Sequence, residues 1–181
     1  PSTESVWKGP RRRSLNRYIR DNKLPDLVAA QRHFRSLAEL NPGYADGYMM
    51  LAYTLAENRQ ERDAIDMYDR AIKLLQETGP SDDKRLHEAK FMRACSLLRR
   101  YRWDDAVEAV KGFRELVDEL EKQTAGKPPD KEKEKLDSWR QNLYLLARCH
   151  AEIGHCFGHL IVFLPKDRAL SDFQRADLAE L

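Results

Sequence analysis

The stretch that decides the fold is ADGYMMLAYTLAENRQERDAIDMYDRAIKL, residues 45–74. Tyr48, Leu51, Ala52 and Leu55 are spaced to share one face of a helix, predicted from about Ala45 to Glu57. Ala64, Tyr68, Ala71 and Leu75 form a second stripe, predicted as a helix from about Glu61 to Gln76. Asn41-Pro42-Gly43 stands before the first helix and Gly79-Pro80 after the second, so the pair is bounded by residues that break helices.

The same pattern extends outward. A small residue, a large one four positions later and an apolar one three beyond that recur along the chain. Ala30, Phe34 and Leu37 form the first triplet, and Ala64, Tyr68 and Ala71 repeat it 34 residues on. Ala106, Val110 and Phe113 follow after 42 more, the extra length falling in the Gly79–Lys84 connection. Ala169, Phe173 and Ala176 give the triplet again near the end. A small residue lets two helices cross closely, and a large side chain one turn later fills the space beneath.

Other helices follow from the same reading. Helical signal starts near Ser14, breaks at Pro25 and resumes through Leu27, Ala30, Phe34, Leu37 and Leu40. Ser81 with Asp82 and Asp83 reads as the cap and acidic first turn of a helix carrying Leu86, Met92, Leu97 and Leu98. A helix from about Asp104 to Gln123 comes next, and then a polar, Gly- and Pro-containing insertion at 124–135. From Leu136, the apolar residues Trp139, Leu143, Leu146, Ile153, Phe157, Leu160 and Leu164 keep a 3.5-residue rhythm. They read as one very long helix or, given Gly154 and Gly158, as two. A last helix is expected from about Lys166 to Leu181. Residues 1–13 read as a flexible basic tail and 14–181 as one helical repeat domain.

Composition agrees with an all-α fold. The 181 residues include 23 Leu and 18 Ala against only 15 Val, Ile and Thr, which disfavours a β-rich structure. Charged residues make up 34%, suiting a thin structure with much surface. The longest apolar run, Leu160–Leu164, is too short to span a bilayer. Cys95, Cys149 and Cys156 form no even disulfide set, which points to a reducing, cytoplasmic setting. A net charge of +2 argues against a dedicated nucleic-acid domain.

The residues of 45–74 resemble the tetratricopeptide repeat family. Tyr48 stands at the early aromatic of the first helix, Leu51-Ala52 at the family's Leu-Gly pair, and Ala64, Tyr68 and Ala71 close the pattern. His87–Leu116 is a second copy, with Ala94 as its small residue, Trp103 as the turn aromatic and Ala106 opening the triplet. It departs at Arg93, where the family has Leu, and at Phe113, where it has Ala. The resemblance implies an α-α superhelix, a solenoid of antiparallel helix pairs. Its concave groove would bind a peptide or helix of another protein, with no catalysis and no cofactor.

The inward faces of the first helices are then Asp46, Met49, Met50, Tyr53 and Glu57 in one copy, and Glu88, Phe91, Met92, Cys95 and Arg99 in the next. From these, Met49, Met50, Tyr53, Glu57, Phe91, Met92, Cys95 and Arg99 are expected to bind the partner. The Lys, Asn and Arg with which some family members clamp a C-terminal carboxylate are missing. An apolar groove rimmed by charge suits an amphipathic helix, and Met adapts to irregular surfaces. The occupant is another protein or the chain's own C-terminal segment, and homo-oligomerisation stays open.

Two other chemistries carry a signal. Glu152, His155 and His159 share a helical face at spacings three and four, as carboxylate and imidazole metal ligands would. The segment holds only one Glu-x-x-His, where a paired di-iron site needs two. Arg11, Arg12, Arg13, Arg17 and Arg20 could contact phosphates, making the Arg11–Arg20 segment a nucleic-acid adaptor. No phosphate loop and no nucleophile-elbow motif is present.

Overall fold

In the computed structural model, residues 24–80, 83–126 and 133–163 are described. All regular structure among them is helical: α1 (Leu24–Leu40), α2 (Ala45–Glu57), α3 (Glu61–Thr78), α4 (Lys84–Leu98), α5 (Trp103–Thr124) and α6 (Lys133–Phe163). The all-α expectation holds. The basic tail 1–13, the segment 14–23, Ser81 and Asp82, and the predicted last helix with its Ala169, Phe173, Ala176 triplet lie outside the described residues.

The local signals act as chemistry demands. Pro25 lies in the first turn of α1, where its missing N–H costs no intrahelical bond. The Asn41 backbone N–H donates to the Leu37 carbonyl at 3.0 Å, and its side-chain amide to the same oxygen at 3.3 Å. Asp83 caps α4: its Oδ1 accepts the Arg85 backbone N–H at 2.9 Å. The Arg85 side chain folds back onto the same carboxylate at 2.5 Å and reaches Asp46 at 3.5 Å. Hydrogen bonding to Arg85 holds the Asp83 carboxyl below its usual pKa, against the opposing effect of burial.

The chain divides into two compact units, Pro1–Ala89 and Lys90–Leu181, with the boundary inside α4. In the first unit α1 packs on α2, and α2 on α3. The triplets Ala30, Phe34, Leu37 and Ala64, Tyr68, Ala71 are all buried, joined by Leu51, Ala52 and Leu55 of α2. Gly47 of α2 is buried against Leu37 of α1.

In the second unit α5 packs on α6. Ala106, Val110 and Phe113 are buried like the earlier triplets. Phe113 meets Phe91 of α4 with ring centres 5.4 Å apart and planes at 59°. Ion pairs flank this contact, Lys90 to Glu119 at 2.6 Å and Arg93 to Glu108 at 2.7 Å. Helix α6 is one continuous helix through Gly154 and Gly158. Its start is pinned to the end of α5, where the Trp139 indole N–H donates to the Thr124 carbonyl at 3.3 Å and Asn142 Nδ2 to Gln123 Oε1 at 2.9 Å. An otherwise orphaned helix-terminal carbonyl thereby gains a donor.

The buried seam of α6 differs from the expected one. It runs through Asn142, Cys149, Cys156 and Leu160, while Leu143 is 42% exposed. Leu143 follows Asn142 directly, so it is turned about 100° off this seam.

One turn geometry recurs. Arg59 and Tyr101, 42 positions apart, are the two non-glycine residues with positive φ among those described, at 61° and 53°. Asn58 and Arg100 donate to the carbonyls of Leu55 and Leu97, Arg59 and Tyr101 to those of Ala56 and Leu98, and Ala64 and Ala106 to those of Gln60 and Arg102. The offset is that of the second and third sequence triplets.

Candidate partner-binding cleft

The eight side chains expected to bind a partner are not equally available. On α2, Met49 is buried, while Met50, Tyr53 and Glu57 are half-buried. On α4, Phe91 is 1% exposed and Met92 and Cys95 are half-buried, while Arg99, just past its end, is exposed. Phe91 is therefore a core residue of the second unit. Phe113 lies against it, and the Arg148 guanidinium of α6 sits 4.2 Å from its ring centre. At this position, α6 of the same chain supplies the cover.

Met92, Cys95 and Arg99 come together in one open cleft of the second unit, of about 310 Å³. Leu98 and, in the turn after α4, Tyr101 complete one wall, and Arg148, Glu152 and His155 of α6 form the other. The floor is apolar and the rim is charged. Sequence reasoning did not place Leu98, Tyr101 or Arg148 in the site. Trp103, expected as the turn aromatic, is half-buried at the first position of α5, while Tyr101, with left-handed backbone, is 61% exposed at the cleft. A bulky side chain in that region costs about 1–2 kcal/mol. Arg148 lies one turn before Glu152 and could have been found from that spacing.

The electrostatics of the cleft hold its thiol neutral. Burial, reinforced by the Glu152 carboxylate, pushes the Cys95 thiol up to about 12, against the opposing pull of Arg148 and Arg99. Burial likewise pushes the Cys149 and Cys156 thiols up to about 12. A thiol held protonated is a poor nucleophile at neutral pH. The cysteines are unbonded to one another.

Of the metal-ligand candidates, Glu152 Oε2 and His155 Nδ1 are 3.7 Å apart, whereas the His159 side chain lies outside the described residues. Among the described residues no group of three His, Cys, Asp or Glu side chains gathers to hold an ion. The Arg11–Arg20 segment also lies outside the described residues. None of the described helices is long and apolar enough to cross a membrane.

A second cleft, of about 430 Å³, opens in the first unit between α1 and α3 over α2. Tyr48, Leu51, Leu55 and Met67 line it, with Arg35, Glu39, Asp63, Asp66 and Arg70 also contributing. None of the eight expected site residues reaches it.

No protein-family model matches the chain, and no curated protein matches it either.

Proposed function

We propose that this chain is a tetratricopeptide-like stack of antiparallel helix pairs that works as a non-enzymatic protein-interaction module. The observation that carries the reading is the convergence of Met92, Cys95 and Arg99 on one open cleft with an apolar floor. They were singled out because the repeat pattern turns their face toward a groove. The repeated turn at Arg59 and Tyr101 supports the stacked-pair architecture, since equivalent loops are what structural repeats require. Met92 beside Leu98 offers an adaptable apolar surface, and Arg99 with Glu152 sets the orientation of what docks there. The cleft is small, so the partner's contribution is one or two anchoring side chains of a helix or extended peptide.

The test is capture of a partner from source extract by the purified protein. Met92→Glu places a carboxylate on the apolar floor and should abolish capture with the helical circular dichroism unchanged. Glu115→Lys, on the exposed face of α5, should leave capture intact. Capture that survives Met92→Glu and disappears with Glu115→Lys would move the interaction to the outer surface and refute the groove.

A further inference from the structure

Arg148 is the side chain in the cleft with the most unused capacity. Its guanidinium lies 4.2 Å from the Phe91 ring centre and 5.8 Å from that of Tyr144. Both are contacts of the cation with an aromatic ring and consume no acceptor for its five N–H donors. Among the described residues no carboxylate or carbonyl accepts a hydrogen bond from it, although the side chain is exposed and lines the cleft. Glu152, one turn away on the same helix, stands 3.7 Å from His155 and makes no ion pair with Arg148.

The surroundings favour one sign of charge. Two guanidinium groups, Arg99 and Arg148, line the cleft against a single carboxylate, Glu152. The floor beside them is Met92, Cys95 and Leu98, with Cys95 held as a neutral thiol. Stacking on Phe91, itself fixed against Phe113, orients the Arg148 fork before any ligand arrives. A pre-oriented guanidinium loses less freedom on pairing and matches a carboxylate bidentately.

We infer that the α4–α6 cleft is a recognition site for an acidic amphipathic segment of a partner protein. An apolar side chain of that segment enters over Met92 and Leu98, and a neighbouring Asp or Glu carboxylate takes the Arg148 fork. This deepens the proposed function and rests on it. Arg148 contributes selectivity by charge, and the Met92–Leu98 floor contributes affinity that does not depend on charge. The cationic rim also speeds encounter with an acidic partner, an effect that salt screens.

The probes are three synthetic helical peptides with the same Leu face, flanked by Glu, Gln or Lys, titrated by fluorescence anisotropy against the full chain. The Glu peptide should bind about 10-fold or more tightly than the Gln peptide, the scale of one charge-assisted hydrogen-bonded pair. The advantage should shrink as salt rises. Arg148→Met keeps an apolar stem over Phe91 and removes the fork. It should erase the preference for Glu over Gln. Arg148→Lys should restore only part of the preference, because an ammonium cannot make the bidentate pair.

Equal binding of the Glu and Gln peptides by the wild-type chain, or a preference for Lys, overturns the inference while leaving the groove reading in place. A Glu preference that persists in Arg148→Met also overturns it. So does displacement of the Glu peptide by a single-stranded oligonucleotide at equal concentration, which would assign the site to phosphates. No binding of any peptide by the wild-type chain overturns the groove reading, and this inference with it. The comparison of peptides on the unaltered chain needs no variant to fold.

Discussion

Phe113→Ala sets the repeat pattern against the packing. Phe113 stands where the tetratricopeptide pattern has an alanine, so by resemblance alone the substitution restores the consensus and costs nothing. The structure requires the opposite. The ring is fully buried, and its neighbour Phe91 is 1% exposed. Phe91 is itself covered by Arg148 on α6, and a close-packed interior relaxes only partially into a new hole. Truncating a buried Phe in such a setting costs about 3–5 kcal/mol, including the aromatic pair's share of about 0.5–1.5 kcal/mol.

Urea unfolding followed by tryptophan fluorescence measures it. In a Trp7→Phe background the remaining tryptophans are Trp103 and Trp139, both in the second unit. With a urea slope of about 2 kcal/mol per M, the midpoint should fall by roughly 1.5–2.5 M. A loss below about 1 kcal/mol, typical of a surface change, would show that the Phe91–Phe113 contact is not a core contact. A gain would show that the repeat consensus outweighs it.

The other predictions concern α6 and the thiols. Gly154 and Gly158 are exposed mid-helix residues with no atom within 4 Å of an added Cβ, so each change to Ala should raise stability by about 0.5–1 kcal/mol in thermal melts. A loss would mean that this face of α6 is covered in solution. All three thiols should resist an aromatic disulfide reagent at pH 8 in the folded chain and react at once in urea. Fast native labelling of the buried Cys149 or Cys156 would contradict their burial. Their folded pKa values lie above the ordinary thiol value of 9.0, so the unfolded chain releases these protons first. The stability they contribute is complete below pH 9 and is lost progressively from pH 9 toward 12, which denaturant midpoints across that range will show.

Much of the helical scaffold was legible along the chain because its signals are local. The periods of α2 and α3 are read within two or three turns, and the breaks at Asn41-Pro42-Gly43 and Gly79-Pro80 act on their own neighbours. The predicted α2 bounds, Ala45 and Glu57, are the observed ones, while α3 extends two residues past its predicted end. The cap of α4 is Asp83, within the acidic group expected to start that helix. The candidate site was less legible. Met92, Cys95 and Arg99 share a helical face that spacing reveals, but Phe91 beside them is closed by residues 22 and 57 positions away in the chain, Phe113 and Arg148.

By itself the sequence determined that the chain is helical, where most of the described helices begin and end, and which triplets form the core. Those properties follow from spacing along one helix and from residues that interrupt it. Tertiary structure alone decided which faces stay open. It turned Leu143 outward and seated Asn142, Cys149 and Cys156 inward, put Tyr101 at the edge of a cleft, and stacked Arg148 on Phe91 with its donors unused. Burial and charge pairing belong to pairs of surfaces. A helix carries its own period in its sequence, but the neighbour that covers or completes one of its faces is fixed only when the helices pack.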